Sequence, residues 1–215
     1  MSIKGFIFDL DGVIVFTDKF HYQAWKQMCD RIGIYFDETI NNRLRGVSRA
    51  ESLEIILEKY EGTLTEVEKA KLMEEKNGIY RERLTTMTSA DVSDEVRETL
   101  QTLRNQGFKL AIGSSSKNAR FILEKVGLLD AFDEISDGNN ITLSKPDPEV
   151  FLKAAEYMKV EPKNCIVVED SHAGIYAAKA AGMIAVGIGD ASSYDKSDYS
   201  LKSFGELLDI ALKYK

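Results

Sequence analysis

Four short apolar runs set the rhythm of the chain. Residues 3–8 (IKGFIF), 108–113 (FKLAIG), 164–168 (NCIVV) and 183–188 (MIAVGI) are unbroken rather than alternating. Such runs suit strands covered on both faces, as in a parallel sheet. The first three stop on polar residues: Asp9, then Ser114, then Glu169 and Asp170.

Between the runs, apolar positions fall three and four apart. Val96, Leu100 and Leu103 share one helix face, and Gly107 is placed to end that helix. Phe121, Ile122 and Val126 repeat the pattern after a Ser116 cap, and Gly127 closes it. Pro148, behind Asp147, opens a helix through Val150, Phe151, Ala154, Ala155 and Met158. Ser171 is placed to cap a helix running to Gly182. Ser203 is placed to cap a last one with Phe204, Leu207, Leu208, Ala211 and Leu212 inward. Strands alternating with helices predict βαβ units, and so an α/β fold with a doubly wound parallel sheet.

Residues 16–90 break the alternation and read as several helices with no strand. Phe20, Ala24, Trp25, Met28 and Ile32 form one stripe, ended by Gly33. Ser48 with Glu51, ahead of Leu53, Ile56, Leu57 and Tyr60, is a capping box, and Thr65 with Glu68 is another. The expected organisation is an α/β core, residues 1–15 and 91–215, interrupted by a helical insertion at 16–90.

Composition narrows the partners. Apolar residues make 44% and charged residues 29% of the 215, an ordinary globular balance. Acids outnumber Lys and Arg 35 to 28, for a net charge of −7. Nucleic acid and anionic membrane are therefore poor fits, since both call for clustered positive charge. Cys29 and Cys165 are too few for a disulfide framework or a common zinc site, and read as buried thiols. There is neither a leader-like start nor a run of roughly 18 apolar residues. The expectation is a cytoplasmic monomer.

In open α/β sheets, ligands bind beyond the carboxyl ends of the strands. Those ends carry Asp9 and Asp11, Ser114, and Glu169 with Asp170, while Lys145 precedes Pro146. Carboxylates brought that close repel one another unless a cation intervenes. Hard oxygen ligands suit Mg²⁺, which takes one or two carboxylates and shares its shell with water and phosphate. Such a site meets the needs of a transferring phosphoryl group, namely a nucleophile in line and cations around its oxygens. Asp9 suits the nucleophile, Asp11 the acid/base, Ser114 a phosphoryl holder, and Asp170 with Glu169 the metal. Blander readings exist for each part: a loop aspartate pair, a helix cap at Glu169-Asp170, a surface Arg49. The ordered set outweighs them. Gly187-Ile188-Gly189 is too short for a dinucleotide fingerprint, no P-loop pattern occurs, and His172 reads as a helix-start residue with no assigned task.

DLDGV at residues 9–13, the run ending at Ser114, Lys145 before Pro146, and Glu169-Asp170 resemble the four motifs of the haloacid dehalogenase (HAD) superfamily. The resemblance covers essentially the whole chain, and the helical insertion falls where that superfamily carries a small cap domain. Finer features resemble the β-phosphoglucomutase family within it. They are His21 with Ala24 and Trp25, Gly46-Val47-Ser48-Arg49 with Ser52, Lys76-Asn77, and Ser114-Ser115-Ser116-Lys117-Asn118.

The resemblance implies a HAD-like core and a hexose phosphate substrate. Asp9 would be phosphorylated and Asp11 would be the acid/base, with Ser114 and Lys145 completing the catalytic set. Mg²⁺ would be held by Asp9, the Asp11 backbone carbonyl and Asp170, with Glu169 a direct or more distant partner. β-Glucose 1-phosphate would become glucose 6-phosphate through a 1,6-bisphosphate. Arg49, with Lys117 and Asn118, would hold the second phosphate. Thr17, His21, Trp25, Gly46, Val47, Ser48, Ser52, Lys76, Ser115 and Ser116 complete the implied substrate pocket. Of these, Lys76 and His21 would position Asp11 and link closure to catalysis. One departure falls at Phe16, where the family usually has Asp before the residue matching Thr17. It bears on hinge motion or local packing before chemistry. The same four motifs also serve a sugar-phosphate phosphatase, and a non-catalytic sugar-phosphate binder is a third class.

Overall fold

The structure, a computed structural model, describes residues 2–214. Six strands form one sheet: β1 (Gly5–Phe8), β2 (Lys109–Gly113), β3 (Glu134–Ser136), β4 (Cys165–Glu169), β5 (Ile184–Gly187) and β6 (Tyr199–Ser200). Their order is β3-β2-β1-β4-β5-β6 and every pairing is parallel. The four apolar runs give β1, β2, β4 and β5. Strands β3 and β6 are three and two residues long, too short to show a periodicity.

Nine helices accompany the sheet among the described residues. Four come before the second strand's helix: α1 (Asp18–Arg31), α2 (Glu38–Asn42), α3 (Arg49–Leu57) and α4 (Glu66–Leu84). The others are α5 (Asp94–Asn105), α6 (Ala119–Lys125), α7 (Glu149–Met158), α8 (His172–Ala180) and α9 (Leu207–Leu212). One sheet face, with Phe6, Phe8, Ile112 and Val168, packs on α5, α6 and α9. The other, with Ile7, Ala111, Cys165 and Val167, packs on α7 and α8. Both faces are thus covered, as the unbroken apolar runs require. No helix among the described residues is long and apolar enough to cross a membrane.

The stretch from α1 to α4 contains no strand and builds its own apolar cluster, with Trp25, Met28, Cys29, Leu53, Ile56 and Leu72 inside. Both capping boxes form: the Ser48 Oγ accepts from the Glu51 N–H, and the Thr65 Oγ1 from the Glu68 N–H. Ala24, Tyr80 and Leu84 instead join the cluster under the sheet, tying the helices to the core.

Four local expectations are corrected. Ser116 is not the cap of α6, which begins three residues later; its hydroxyl takes the Asn118 N–H at 3.2 Å, a turn leading into the helix. Ser203 makes no side-chain cap, because a 3-10 turn at Phe204–Glu206 comes before α9. Leu212 is 57% exposed rather than inward. Tyr60 lies beyond the end of α3 and is exposed.

Candidate active site

Strand β1 is flanked by β2 and β4, and Phe8 is level with Ile112 and Val168. The chain therefore leaves all three strands at nearly one level. That delivers Asp9, Ser114 and Glu169-Asp170 to the same edge. A cavity of about 840 Å³ lies between this edge and the helices from α1 to α4.

The Lys145 ammonium sits at the floor, 1% exposed, in close contact with both Asp9 Oδ1 and Glu169 Oε1. Burial disfavours the ammonium, but the two carboxylates outweigh it and its pKa is raised. The second Glu169 oxygen accepts from the Ser171 N–H and hydroxyl, each at 2.9 Å. With both oxygens engaged, Glu169 fits a partner standing behind the ligands better than a direct metal ligand. It presses so closely on Gly174 that a Cβ there would fall inside its carboxylate. Gly12, at φ +94°, makes the same room for Asp170.

The electrostatics call for a cation. Burial raises the Asp9 pKa well above the ordinary carboxylate range; Lys145 opposes this, while Glu169, Asp170 and Asp11 add to it. Burial, then Glu169, pushes Asp170 up to about 7. Among the described residues, no three acidic, imidazole or thiol groups already surround a metal position. Mg²⁺ does not need three, since carbonyl, water and phosphate oxygens fill its shell. Asp9 keeps one oxygen, and Asp170 both, without a hydrogen-bond donor among the described residues. The free oxygens of Asp9 and Asp170 are the hard donors that suit Mg²⁺.

The Asp11 carboxylate is turned to the Thr17 hydroxyl, which itself accepts from Tyr80 Oη at 3.1 Å. Thr17 is fully buried and does not line the cavity, so it acts through Asp11. Burial raises the Asp11 pKa, and the Thr17 hydrogen bond opposes the rise. At the end of β2, the Ser114 Oγ accepts from the Ser116 N–H at 3.1 Å. The Ser115 hydroxyl lines the cavity, buried and with no partner among the described residues. A phosphoryl oxygen would satisfy it.

On the helical side, Lys76 is 2% exposed, with Nζ 2.8 Å from His21 Nδ1 and 4.9 and 4.6 Å from the Trp25 and Tyr80 ring centres. Burial, then Arg49, brings Lys76 down to about 7, with Asp11 opposing. Burial, Lys76 and Arg49 hold His21 well below the usual imidazole value, so its Nδ1 is free to accept. Arg49 Nη2 donates to Asn77 Oδ1 at 2.8 Å, and Asn118 Nδ2 donates to the same oxygen at 3.1 Å. Val47, Ser48, Ser52 and Lys117 also line the cavity. Gly46, at φ +76°, lies against Ser171. Phe16 is at the rim, 77% exposed.

Several cavity residues escaped the sequence reading. Tyr80 lies four residues after Lys76, on the same face of α4, a spacing that signals contact. Arg45 reaches Asp190 at 2.7 Å and Asp18 at 3.4 Å. Its position next to Gly46 was a usable signal. Asp190 follows β5, so it too lies just beyond the carboxyl end of a strand.

The sequence and the fold are similar to those of known proteins. The model of the haloacid dehalogenase-like hydrolase family matches residues 3–182. The chain belongs to that family. Among its haloacid dehalogenase-like relatives, the β-phosphoglucomutase of Bacillus subtilis is 40% identical over 207 residues, 95% of this chain and 92% of the relative. The phosphorylated carbohydrates phosphatase of Thermotoga maritima is 32% identical, over 84% of this chain and 82% of the relative. The crystal structure of a β-phosphoglucomutase from Clostridium difficile superposes with a TM-score of 0.92 at 39% identity, over 99% of this chain and 97% of that one. The family's parallel α/β fold is thus the fold of this chain.

Proposed function

We propose that the chain is a mutase that interconverts β-D-glucose 1-phosphate and glucose 6-phosphate. The helices from α1 to α4 act as its cap. The supporting observation is an arginine with no carboxylate partner among the described residues, lining the same cavity as the strand edge. This is Arg49, held by Asn77 beside Asn118, while Asp9 and Lys145 lie at the floor. A mutase has to hold both phosphates of a bisphosphate at once. The 40% identity to the Bacillus subtilis β-phosphoglucomutase points the same way.

An Asp9 carboxylate oxygen carries the phosphoryl group. Asp11, turned inward from Thr17, takes the proton from the sugar 6-hydroxyl as that oxygen attacks phosphorus and the bond to Asp9 breaks. The bisphosphate turns round and presents its 1-phosphate to Asp9. The Asp9 oxygen attacks, and Asp11 returns the proton to the departing C1 oxygen, giving glucose 6-phosphate. Lys145 balances the Asp9 charge, and Ser114 with the Ser115 hydroxyl holds phosphoryl oxygens. Asp9, the Asp11 carbonyl and Asp170 would hold Mg²⁺, which would supply charge neutralisation for the transfer. Closure of the helical cap over the cavity keeps water from the acyl phosphate.

The second reading is a sugar-phosphate phosphatase. It is favoured by the 32% identity to the Thermotoga maritima phosphorylated carbohydrates phosphatase and the 31% identity to the fructose-1-phosphate phosphatase YqaB of Escherichia coli. One assay separates the two: β-glucose 1-phosphate with Mg²⁺ and a trace of the 1,6-bisphosphate. Stoichiometric glucose 6-phosphate supports the mutase, and dominant inorganic phosphate release rejects it. Asp9→Asn abolishes turnover under either reading, and residual cycling in that variant would remove Asp9 as nucleophile.

A further inference from the structure

Arg81 lies one turn beyond Asn77 on α4 and does not line the cavity. Its Nη1 donates to Asn118 Oδ1 at 3.3 Å, and its guanidinium lies 4.6 Å from the Phe121 ring centre on α6. A guanidinium offers only donors, so it turns the oxygen of the Asn118 amide towards itself and the NH₂ the other way. That NH₂ donates to Asn77 Oδ1, the oxygen that also receives Arg49 Nη2. Arg81 and Arg49 form no salt bridge among the described residues. Arg49 is therefore anchored on one edge by a neutral amide, and the rest of its planar fork stays available to an anion.

We propose that Arg81 is a positioning residue for the second phosphate. Stacked on Phe121, it orients Asn118, and through Asn77 it orients Arg49. The distal phosphate of the sugar then meets donors already aligned. Without the guanidinium, the Asn118 amide is free to turn and the Asn77 oxygen loses one of its two donors. The cost falls only on ligands that carry a phosphate at that end. The inference rests on the proposed function to the extent that Arg49 and Asn118 receive this phosphate.

The test compares wild type, Arg81→Leu and Arg81→Lys on two substrates. p-Nitrophenyl phosphate has one phosphate, consumed at Asp9, and none for the distal site. β-Glucose 1-phosphate, with a trace of the 1,6-bisphosphate, uses both sites. The expected result for Arg81→Leu is a KM for β-glucose 1-phosphate raised about ten-fold, with kcat within about two-fold. Its kcat/KM for p-nitrophenyl phosphate should stay at the wild-type value. Arg81→Lys should fail to restore KM, because an ammonium lacks the planar fork that stacks and donates together. An unchanged KM in Arg81→Leu, or full restoration in Arg81→Lys, overturns the proposal. A parallel fall on both substrates assigns Arg81 a purely structural role and also overturns it. If wild type releases inorganic phosphate in place of glucose 6-phosphate, the mutase reading falls by itself. The relay is then judged by the same KM comparison, with glucose 1,6-bisphosphate hydrolysis set against p-nitrophenyl phosphate.

Discussion

Thr17 donates its hydroxyl to the Asp11 carboxylate from outside the cavity, with Tyr80 donating in turn to Thr17. The bond stabilises the ionised acid against the upward push of burial. Thr17→Val removes it and should move the acid limb of kcat/KM upward by about one pH unit, since a hydrogen bond to a charged group is worth ~1.5 kcal/mol. Thr17→Ser should leave the limb in place. A pH–rate profile of the three proteins decides, and an unmoved limb in Thr17→Val would detach Asp11 from proton transfer.

Lys145 is the counter-charge for two buried acids at once. Lys145→Met should abolish turnover and lower folding stability by ~3 kcal/mol, the usual scale for breaking a buried ion pair. Burial already lifts Asp9, so without the lysine it takes up a proton on folding above its ordinary range. The folded state then holds more protons than the unfolded one, and stability falls as pH rises. Urea unfolding in chelator should show a larger deficit at about pH 8 than at about pH 5. A deficit independent of pH would contradict this account.

Burial favours the neutral amine of Lys76, whose pKa is about 7 against an ordinary 10.5. Between those values the unfolded chain binds more protons than the folded one. The penalty is fully present below pH 7 and is relieved as pH climbs through the window. Lys76→Met should therefore be more stable than wild type at pH 6, with the advantage shrinking by pH 9.5. A gain that stays constant across this range would show that the methionine acts by packing alone.

Arg45 joins the loop before α3 to the loop after β5 through Asp190. The pair is exposed, so Asp190→Asn should change stability by less than ~1 kcal/mol. Its effect belongs to closure: KM for sugar phosphate should rise while kcat holds. Raising ionic strength to about 0.5 M screens the same pair and should bring wild-type KM to the variant's value. If salt shifts both proteins equally, the pair does not govern closure.

Much of this site is legible in the sequence because the fold puts chemistry at strand ends. Asp9, Ser114 and Glu169-Asp170 each follow a run whose unbroken apolarity marks it as a buried parallel strand. The capping boxes at Ser48 and Thr65 form as read, since their partners lie three residues away. What escaped depends on contacts between distant segments. The Glu169 bonds to Lys145 and Ser171, which engage both of its oxygens, involve side-chain directions that no periodicity encodes. Arg45 and Asp190 are 145 residues apart. The two missed strands, β3 and β6, owe their place to pairing with β2 and β5 rather than to any pattern of their own.

Gly12 and Gly174 have a consequence for how such enzymes are edited. Neither offers a functional group, yet each supplies the hollow into which an acid of the centre fits. A survey that catalogues only reactive side chains would pass over both as spacers. In a mutational library, they would behave like the nucleophile itself. The mould in which the acids are cast is made of missing methyl groups.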